Sequence, residues 1–313
     1  DEAFYRGKTL RIVVGAPPGG GYDTYTRALA RHLGRHIPGA PTIVVDNMAR
    51  AGTLIAANHA YRVAQPDGLT MVNFSGTFIL SQILGLPGIE FDARKFEWIG
   101  IPAKDHVVCA FTRASGITSV EAWMATKAPV KVGATGRGSA PEDSVRILQT
   151  ALGLPTQIVS GYKGTAPVRL AAEGGEVAGG CWQWESMKVN WRSGLDTGNV
   201  AIVLQAVTAP LPELPNVPLA ISLAKTEEAR ALIRVGIQVT RVYAFPPGTP
   251  KERVQALRQV FLAALADPEF RAEALKSKLD VDPLGGEETE RLVAGLFKLD
   301  PALLARLRTF LRP

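Results

Sequence analysis

Residues 15–23 read Gly-Ala-Pro-Pro-Gly-Gly-Gly-Tyr-Asp, a composition suited to holding an anion. Glycines let the backbone turn tightly and present N–H groups, and a following helix N-terminus adds partial positive charge. Together they can hold a carboxylate or phosphate without a cationic side chain. A second loop of this character, Gly-Ala-Thr-Gly-Arg-Gly-Ser at 133–139, lies far along the chain. Each loop needs a strand to deliver it and a helix to receive it. The apolar run 9–14 and the amphipathic run 22–36 flank the first, and 130–132 and 141–152 flank the second. Two such cradles on separate α/β units suggest one anionic ligand held between two lobes.

At 313 residues the chain exceeds the size at which one core keeps growing, so two domains are expected. The net charge of +6, from 35 Lys+Arg against 29 Asp+Glu, is spread without a dense basic run. It reads as a mildly basic protein that attracts anions, not as a nucleic-acid binder. The uncharged stretch 68–89 has the length of a membrane span, but half of it is Gly, Ser, Thr, Asn, Gln and Pro, which excludes that reading. The chain opens at Asp1 without a Met, as a processed, exported protein would. Cys109 and Cys181 read as two small buried hydrophobes, common in any compartment, or more sharply as one bridge in an oxidising compartment. No Cys/His spacing suggests a metal site.

The first part alternates strand and helix: strands at 9–14, 42–45 and 69–74, helices at 22–36 and 54–64, a βαβαβ unit with a parallel sheet. An apolar run at 106–111 reads as a strand crossing between lobes. The pattern then repeats, with helices at 120–125, 141–152 and 166–173 and strands at 130–132, 156–159, 177–181 and 200–205. Residues 238–245 read as a strand crossing back. Thr249-Pro250-Lys251-Glu252, Asp267-Pro268 and Asp300-Pro301 each carry the signature of a helix start. These helices would complete the first domain, making it discontinuous.

Enzyme chemistry finds little support. A dinucleotide site is the main rival, with Asp46 placed where a ribose-binding acid would sit. Against it, Pro17 and Pro18 remove two N–H donors, and Gly133-x-x-Gly136-x-Gly138 has the wrong glycine spacing. No GxxxxGK[ST] loop is present, and Asn73-Phe-Ser-Gly-Thr77 lacks the first glycine of a nucleophile elbow. His32 and His36 lie one helical turn apart beside Arg31 and Arg35 and read as a solvated face. Anion-holding loops without an acid, base or nucleophile set favour a binder without cofactor.

Several short motifs follow one another along the chain. They are 12–21 with Asp23, Pro66-Asp67-Gly68, Gly136-Arg137-Gly138-Ser139, Tyr162-Lys-Gly-Thr-Ala-Pro167, Gly175-Glu-Val177, Leu214-Pro-Asn-Val-Pro218 and Pro246-Pro-Gly-Thr-Pro250. In this order and spacing the chain resembles the Bug family of extracytoplasmic solute receptors, the substrate-binding component of tripartite tricarboxylate transporters. It departs from the family pattern at Arg137 and at 47–52, which reads Asn-Met-Ala-Arg-Ala-Gly.

The resemblance implies an α/β protein with the two-lobed type II periplasmic-binding-protein (Venus flytrap) fold, its lobes joined by two crossing strands. The lobes would be 1–107 plus 237–313, and 108–236. It implies a periplasmic, monomeric receptor for a di- or tricarboxylate, delivering its ligand to membrane permease subunits. The alternatives are an NAD(P)-dependent enzyme or a ligand sensor for a membrane kinase. Ligand-facing residues would be Ala16, Pro17, Gly19 and Gly20 with Tyr22 and Asp23, then Ser75, Gly76 and Thr77. The second lobe would add Thr135, Gly136, Arg137, Gly138 and Ser139, with Tyr162, Gly164 and Thr165 as walls. Arg137 is a candidate clamp for a second carboxylate. Trp182 and Trp184, after a strand end, are candidates for an aromatic wall, whereas Trp191 reads as packing. In such a lobe the crossing strand lies beside the third parallel strand, which would bring Cys109 and Cys181 together as a disulfide.

Overall fold

The computed structural model describes residues 2–19, 21–49, 53–136 and 139–311. Gly20 and 50–52, and Arg137 and Gly138, lie outside the described residues. The chain forms two compact units, 1–104 with 239–297 and 105–238 with 298–313.

In the first unit α1 (Glu2–Tyr5) precedes β1 (Thr9–Val14), α2 (Gly21–Leu33), β2 (Thr42–Asn47), α3 (Leu54–Arg62), β3 (Thr70–Ser75), α4 (Thr77–Ile83) and β4 (Glu97–Ile101). The second unit contributes β5 (Val107–Thr112), α5 (Val120–Met124), β6 (Val130–Gly133), α6 (Ala140–Leu152), β7 (Thr156–Val159) and α7 (Thr165–Glu173). It continues with β8 (Gly179–Gln183), α8 (Trp184–Asn190), α9 (Arg192–Thr197), β9 (Val200–Ala206), α10 (Ala220–Leu223) and α11 (Glu227–Ile233). The chain then returns to the first unit through β10 (Arg241–Phe245), α12 (Lys251–Ala266), α13 (Pro268–Lys276), β11 (Leu284–Gly285) and α14 (Gly286–Leu296), and ends in α15 (Pro301–Leu311).

The first sheet has the order β11-β4-β10-β3-β1-β2. β1 runs parallel to β2 and β3, and β10 is antiparallel to both β3 and β4. Leu10, Ile12 and Met71 face α2 and α12 in a core with Leu29, Leu33, Leu257 and Phe261. The second sheet, β7-β6-β8-β5-β9, has β6 parallel to β7 and β8, with β5 antiparallel to β8 and β9. In both units the parallel strands end on the loops read above as cradles, because a parallel sheet sends every strand-to-helix turn to one edge.

Cys109 stands directly opposite Cys181 in the β5–β8 pairing, and the two form a disulfide with Cα atoms 4.1 Å apart. Several sequence expectations shift. The strand read at 177–181 runs two residues later, and 234–238 forms a π-helical turn, so β10 starts only at Arg241. Thr249 does not cap α12: its hydroxyl donates to the Pro246 carbonyl at 2.8 Å, and Pro250 takes the cap position. The terminal helix also departs from the first lobe. α15 packs on α6 of the second unit, burying Leu303 and Leu307. A helix-start signature fixes where a helix begins, whereas its apolar stripe can be buried by any complementary partner.

The basic end of α2 docks on α13. Glu273 accepts from Arg31 at 2.6 Å and pairs with His32, and Asp267 pairs with His36 at 2.6 Å and with Arg35. The His36 contact, helped by Arg35, holds the Asp267 carboxyl well below the usual range. At Glu273 burial pushes upward, but Arg31 and His32 outweigh it. Carboxyls depressed in the folded state contribute stability above the unfolded value near ~4, and lose it as pH falls. The melting temperature should therefore drop as pH falls below about 4. Asp267→Asn, which keeps the α13 cap, should flatten part of that dependence, and an unchanged profile would remove Asp267 from the account.

Candidate functional site

In the first unit, β1 delivers Gly15 to a close approach that only glycine allows: a Cβ there would lie 2.6 Å from the Thr53 Cβ. Thr53 is buried and its hydroxyl accepts from the Ser75 N–H at 2.7 Å, joining the β1 loop to the end of β3. Ala16 is buried, whereas Pro17, Pro18 and Gly19 are exposed. The loop is held by Asp23, which is 3% exposed. Its carboxylate accepts from the Gly19 N–H at 2.9 Å, from Asn47 Nδ2 at 2.8 Å and from Arg27 Nε at 2.9 Å. Asn47 Nδ2 also reaches the Ala16 carbonyl at 2.8 Å, and Arg27 donates to Asn47 Oδ1 at 2.7 Å. Burial of Asp23 works against ionisation, but Gly19, Asn47 and Arg27 hold its carboxyl below its ordinary value.

Asp23 is thus committed to the loop and uses the Gly19 donor. Arg27 and Asn47 were not among the residues singled out from the sequence. Asp and Arg one helical turn apart on α2 were the available signal. Asp23→Ala is expected to lower stability by about 2 kcal/mol, through loss of charge-assisted hydrogen bonds. Chemical denaturation measures this, and a variant as stable as wild type would show the network to be dispensable.

At the end of β3 the other backbone donors are also engaged. The Gly76 N–H bonds the Thr240 carbonyl at 3.1 Å, and the Ser75 and Thr77 hydroxyls bond each other at 2.8 Å. Tyr22 donates to the Thr240 carbonyl at 3.1 Å. Arg241, which pairs with Ser75 across β10–β3, lies over the rings of Tyr22 and Tyr25 at 5.6 and 5.0 Å. No local pattern marks that cation, which strand pairing brings to the aromatic face of α2.

The second unit is built differently. β6 ends at Gly133, and the chain passes through Ala134, Thr135 and Gly136, the last with φ +141°. Ser139 takes the N-cap position of α6 but makes no side-chain cap bond. Its hydroxyl instead donates to the Gly136 carbonyl at 2.5 Å and contacts the Thr135 hydroxyl at 2.7 Å. On the adjacent parallel strand, β7 leads through 160–164 to α7, whose N-cap Gly164 has no side chain to offer. Two helices of 13 and 9 residues thus begin at the ends of neighbouring parallel strands without side-chain caps. Their N-termini concentrate partial positive charge at one edge of the unit.

The two loops are tied together. The Ala134 carbonyl accepts the Tyr162 N–H at 3.2 Å, and the Ala134 N–H bonds the Val159 carbonyl at 2.9 Å. Tyr162 donates its hydroxyl to Glu176 at 2.6 Å, which pushes the phenol up to about 12. Thr165 accepts from Asn190 at 3.2 Å. Of the second-unit residues expected at the ligand, Thr135, Gly136, Ser139, Tyr162, Gly164 and Thr165 share this edge, and Arg137 and Gly138 lie outside the described residues, as does Gly20 of the first loop.

Trp182 and Trp184 do not form an exposed aromatic wall. Trp182 is 2% exposed and stacks on Trp191 at 5.6 Å with the rings 9° apart. Trp184 is 6% exposed and packs in the same core with Val168, Met187 and Trp191. On β8 Trp182 follows Gly180, whose missing side chain leaves room for the indole beside Val168. Burying the two ring systems is the larger hydrophobic gain.

Asp46, considered above for a ribose, forms a surface ion pair with Arg11 at 2.7 Å. Among the described residues no helix is long and apolar enough to cross a membrane.

Solved structures share this architecture. A TctC solute-binding protein from Polaromonas, without ligand, superposes with a TM-score of 0.79 at 18% identity, over 97% of this chain and 99% of that one. MatC of Rhodopseudomonas palustris with bound malate gives 0.57 at 22% identity, over 97% and 99%. A second R. palustris protein, with adipate, gives 0.59 at 20%, over 97% of each chain. At these identities the likeness is one of fold, that of periplasmic binding proteins. No curated protein matches the chain in sequence. The pattern of the family described as "Tripartite tricarboxylate transporter family receptor" matches residues 26–305. The chain therefore belongs to the tripartite tricarboxylate transporter receptor family, a family of solute receptors and not of enzymes.

Proposed function

We propose that this receptor binds an organic dicarboxylate or tricarboxylate outside the cytoplasm and, as a monomer, delivers it to the permease of its transporter. The observation that carries this reading is the pair of helix N-termini, α6 and α7, that begin without side-chain caps at the ends of β6 and β7. Pro141 and Pro167 carry no N–H and the Glu142 N–H is taken by the Ser139 carbonyl, so a carboxylate there is held by the remaining first-turn N–H groups of the two helices together, whose charge-assisted bonds offset its lost hydration. The first unit contributes the loop of Ala16, Pro17 and Gly19 with Ser75 and Thr77, and both loops serve one ligand. Gly20, Arg137 and Gly138 complete the two loops in sequence, and Arg137 holds a second carboxylate.

Because Asp23 and Thr240 already take donors of the first unit, ligand discrimination falls mainly to the second. Malate and adipate, held by the two R. palustris proteins, support a dicarboxylate. The Cys109–Cys181 disulfide suits an oxidising compartment. A thermal-shift screen of mono-, di- and tricarboxylates beside NAD, NADP and ATP tests the reading, since a ligand that binds only the folded state raises its melting temperature. Stabilisation by one group of multivalent acids is the expected result. Stabilisation by a nucleotide and by no acid would overturn it.

A further inference from the structure

Ser139 and Glu142 spell S-x-x-E, the sequence of a capping box, in which the serine accepts from the third helical N–H and the glutamate reaches back to the cap. The structure makes neither bond. The Ser139 hydroxyl turns into the loop. Glu142, fully buried, turns away from the cap: one carboxylate oxygen accepts from Arg146 at 2.7 and 3.1 Å, and the other accepts from the Ser160 hydroxyl at 2.5 Å. Ser160 opens the loop that leads into α7, a segment with two glycines at positive φ, Gly161 at +99° and Gly164 at +128°. Such a loop gains little rigidity from its own side chains.

We propose that Glu142 is a positioning residue: the backbone donors of the cap are already met by the Gly136 and Ser139 carbonyls at 3.1 and 3.2 Å, and Glu142 instead holds Ser160 and so fixes the α7 loop beside the start of α6. Arg146 balances the buried charge, so that the negative group beneath the anion site is neutralised from within the helix. The ion pair is i,i+4 on α6 and nearly enclosed, so it persists at salt concentrations that screen surface pairs. The inference rests on the carboxylate reading for its consequence, though not for its geometry.

The test uses Ser160, which is exposed, so that the buried pair stays intact. Amide hydrogen exchange of ligand-free protein reads the positioning, and calorimetry with malate reads its effect on binding. In Ser160→Ala the amides of 161–165 are expected to exchange about tenfold faster, and malate affinity to fall about tenfold, the loss of one bond to a charged acceptor. Ser160→Thr, which keeps the hydroxyl, should restore both. Unchanged exchange in Ser160→Ala overturns the positioning role whatever the affinity does. Faster exchange with unchanged affinity overturns its bearing on the ligand. Faster exchange in a protein whose wild type is stabilised by no carboxylate upholds the positioning and removes the carboxylate reading instead.

Discussion

Replacing Cys109 and Cys181 together by alanine should lower the stability of the second unit by about 4 kcal/mol. The bridge spans 72 residues of sequence, so cutting it frees a long loop in the unfolded chain, and the entropy of that loop is what the disulfide removes. Its place in the fold sets the consequence. β8 is the central strand of the sheet and β5 is its antiparallel neighbour, so the link joins the strand that enters the unit to the strand that organises it. Both cysteines are buried, so the same effect is expected from reduction only once the unit opens. For a unit of this size, about 4 kcal/mol corresponds to a fall in melting temperature of about 10 °C. Thermal unfolding of the double variant against the oxidised wild type measures it, and coincident transitions would show that the bridge adds nothing to the paired strands.

Gly136→Val should reduce carboxylate affinity by about a hundredfold, or about 2.7 kcal/mol, while leaving the melting temperature within a few degrees. A Cβ at Gly136 would meet nothing within 4 Å, so collision is not the cause. The cost lies in the backbone, which sits at φ +141°, a region closed to a β-branched residue. Valine would force 134–139 into another course, and with it the carbonyl that receives Ser139 and the first turn of α6. The main hydrophobic cluster of the unit is built elsewhere, from Val108, Val168, Met187 and the tryptophans. Calorimetry with the acid found by the thermal-shift screen reads the result. Wild-type affinity in the valine variant would falsify the assignment of this loop to the ligand.

The sequence by itself determined the strand-loop-helix units that carry both cradles. Alternating apolar runs, prolines at helix starts and glycines at turns act over a few residues, and β1, β3, β6, α6 and α12 lie near where those signals put them. β4 and β11, the two-residue strand before α14, were not legible, since a short strand is fixed by its neighbours and not by its own pattern. The same limit governed the site. Glycine and proline spacing marked the loops, but whether an N–H points at a ligand depends on what else can accept it.

Tertiary structure decided that Asp23, through Asn47 and Arg27, would take the Gly19 donor, and that Glu142 would leave its cap for a serine 18 residues away. It placed Trp182 and Trp184 in the core, because stacking on Trp191 buries more apolar surface than a wall would. It also seated α15 on α6. Local signals set backbone conformation because their physics is short-ranged, whereas donors, rings and helix faces are assigned by whichever partner the folded chain brings near.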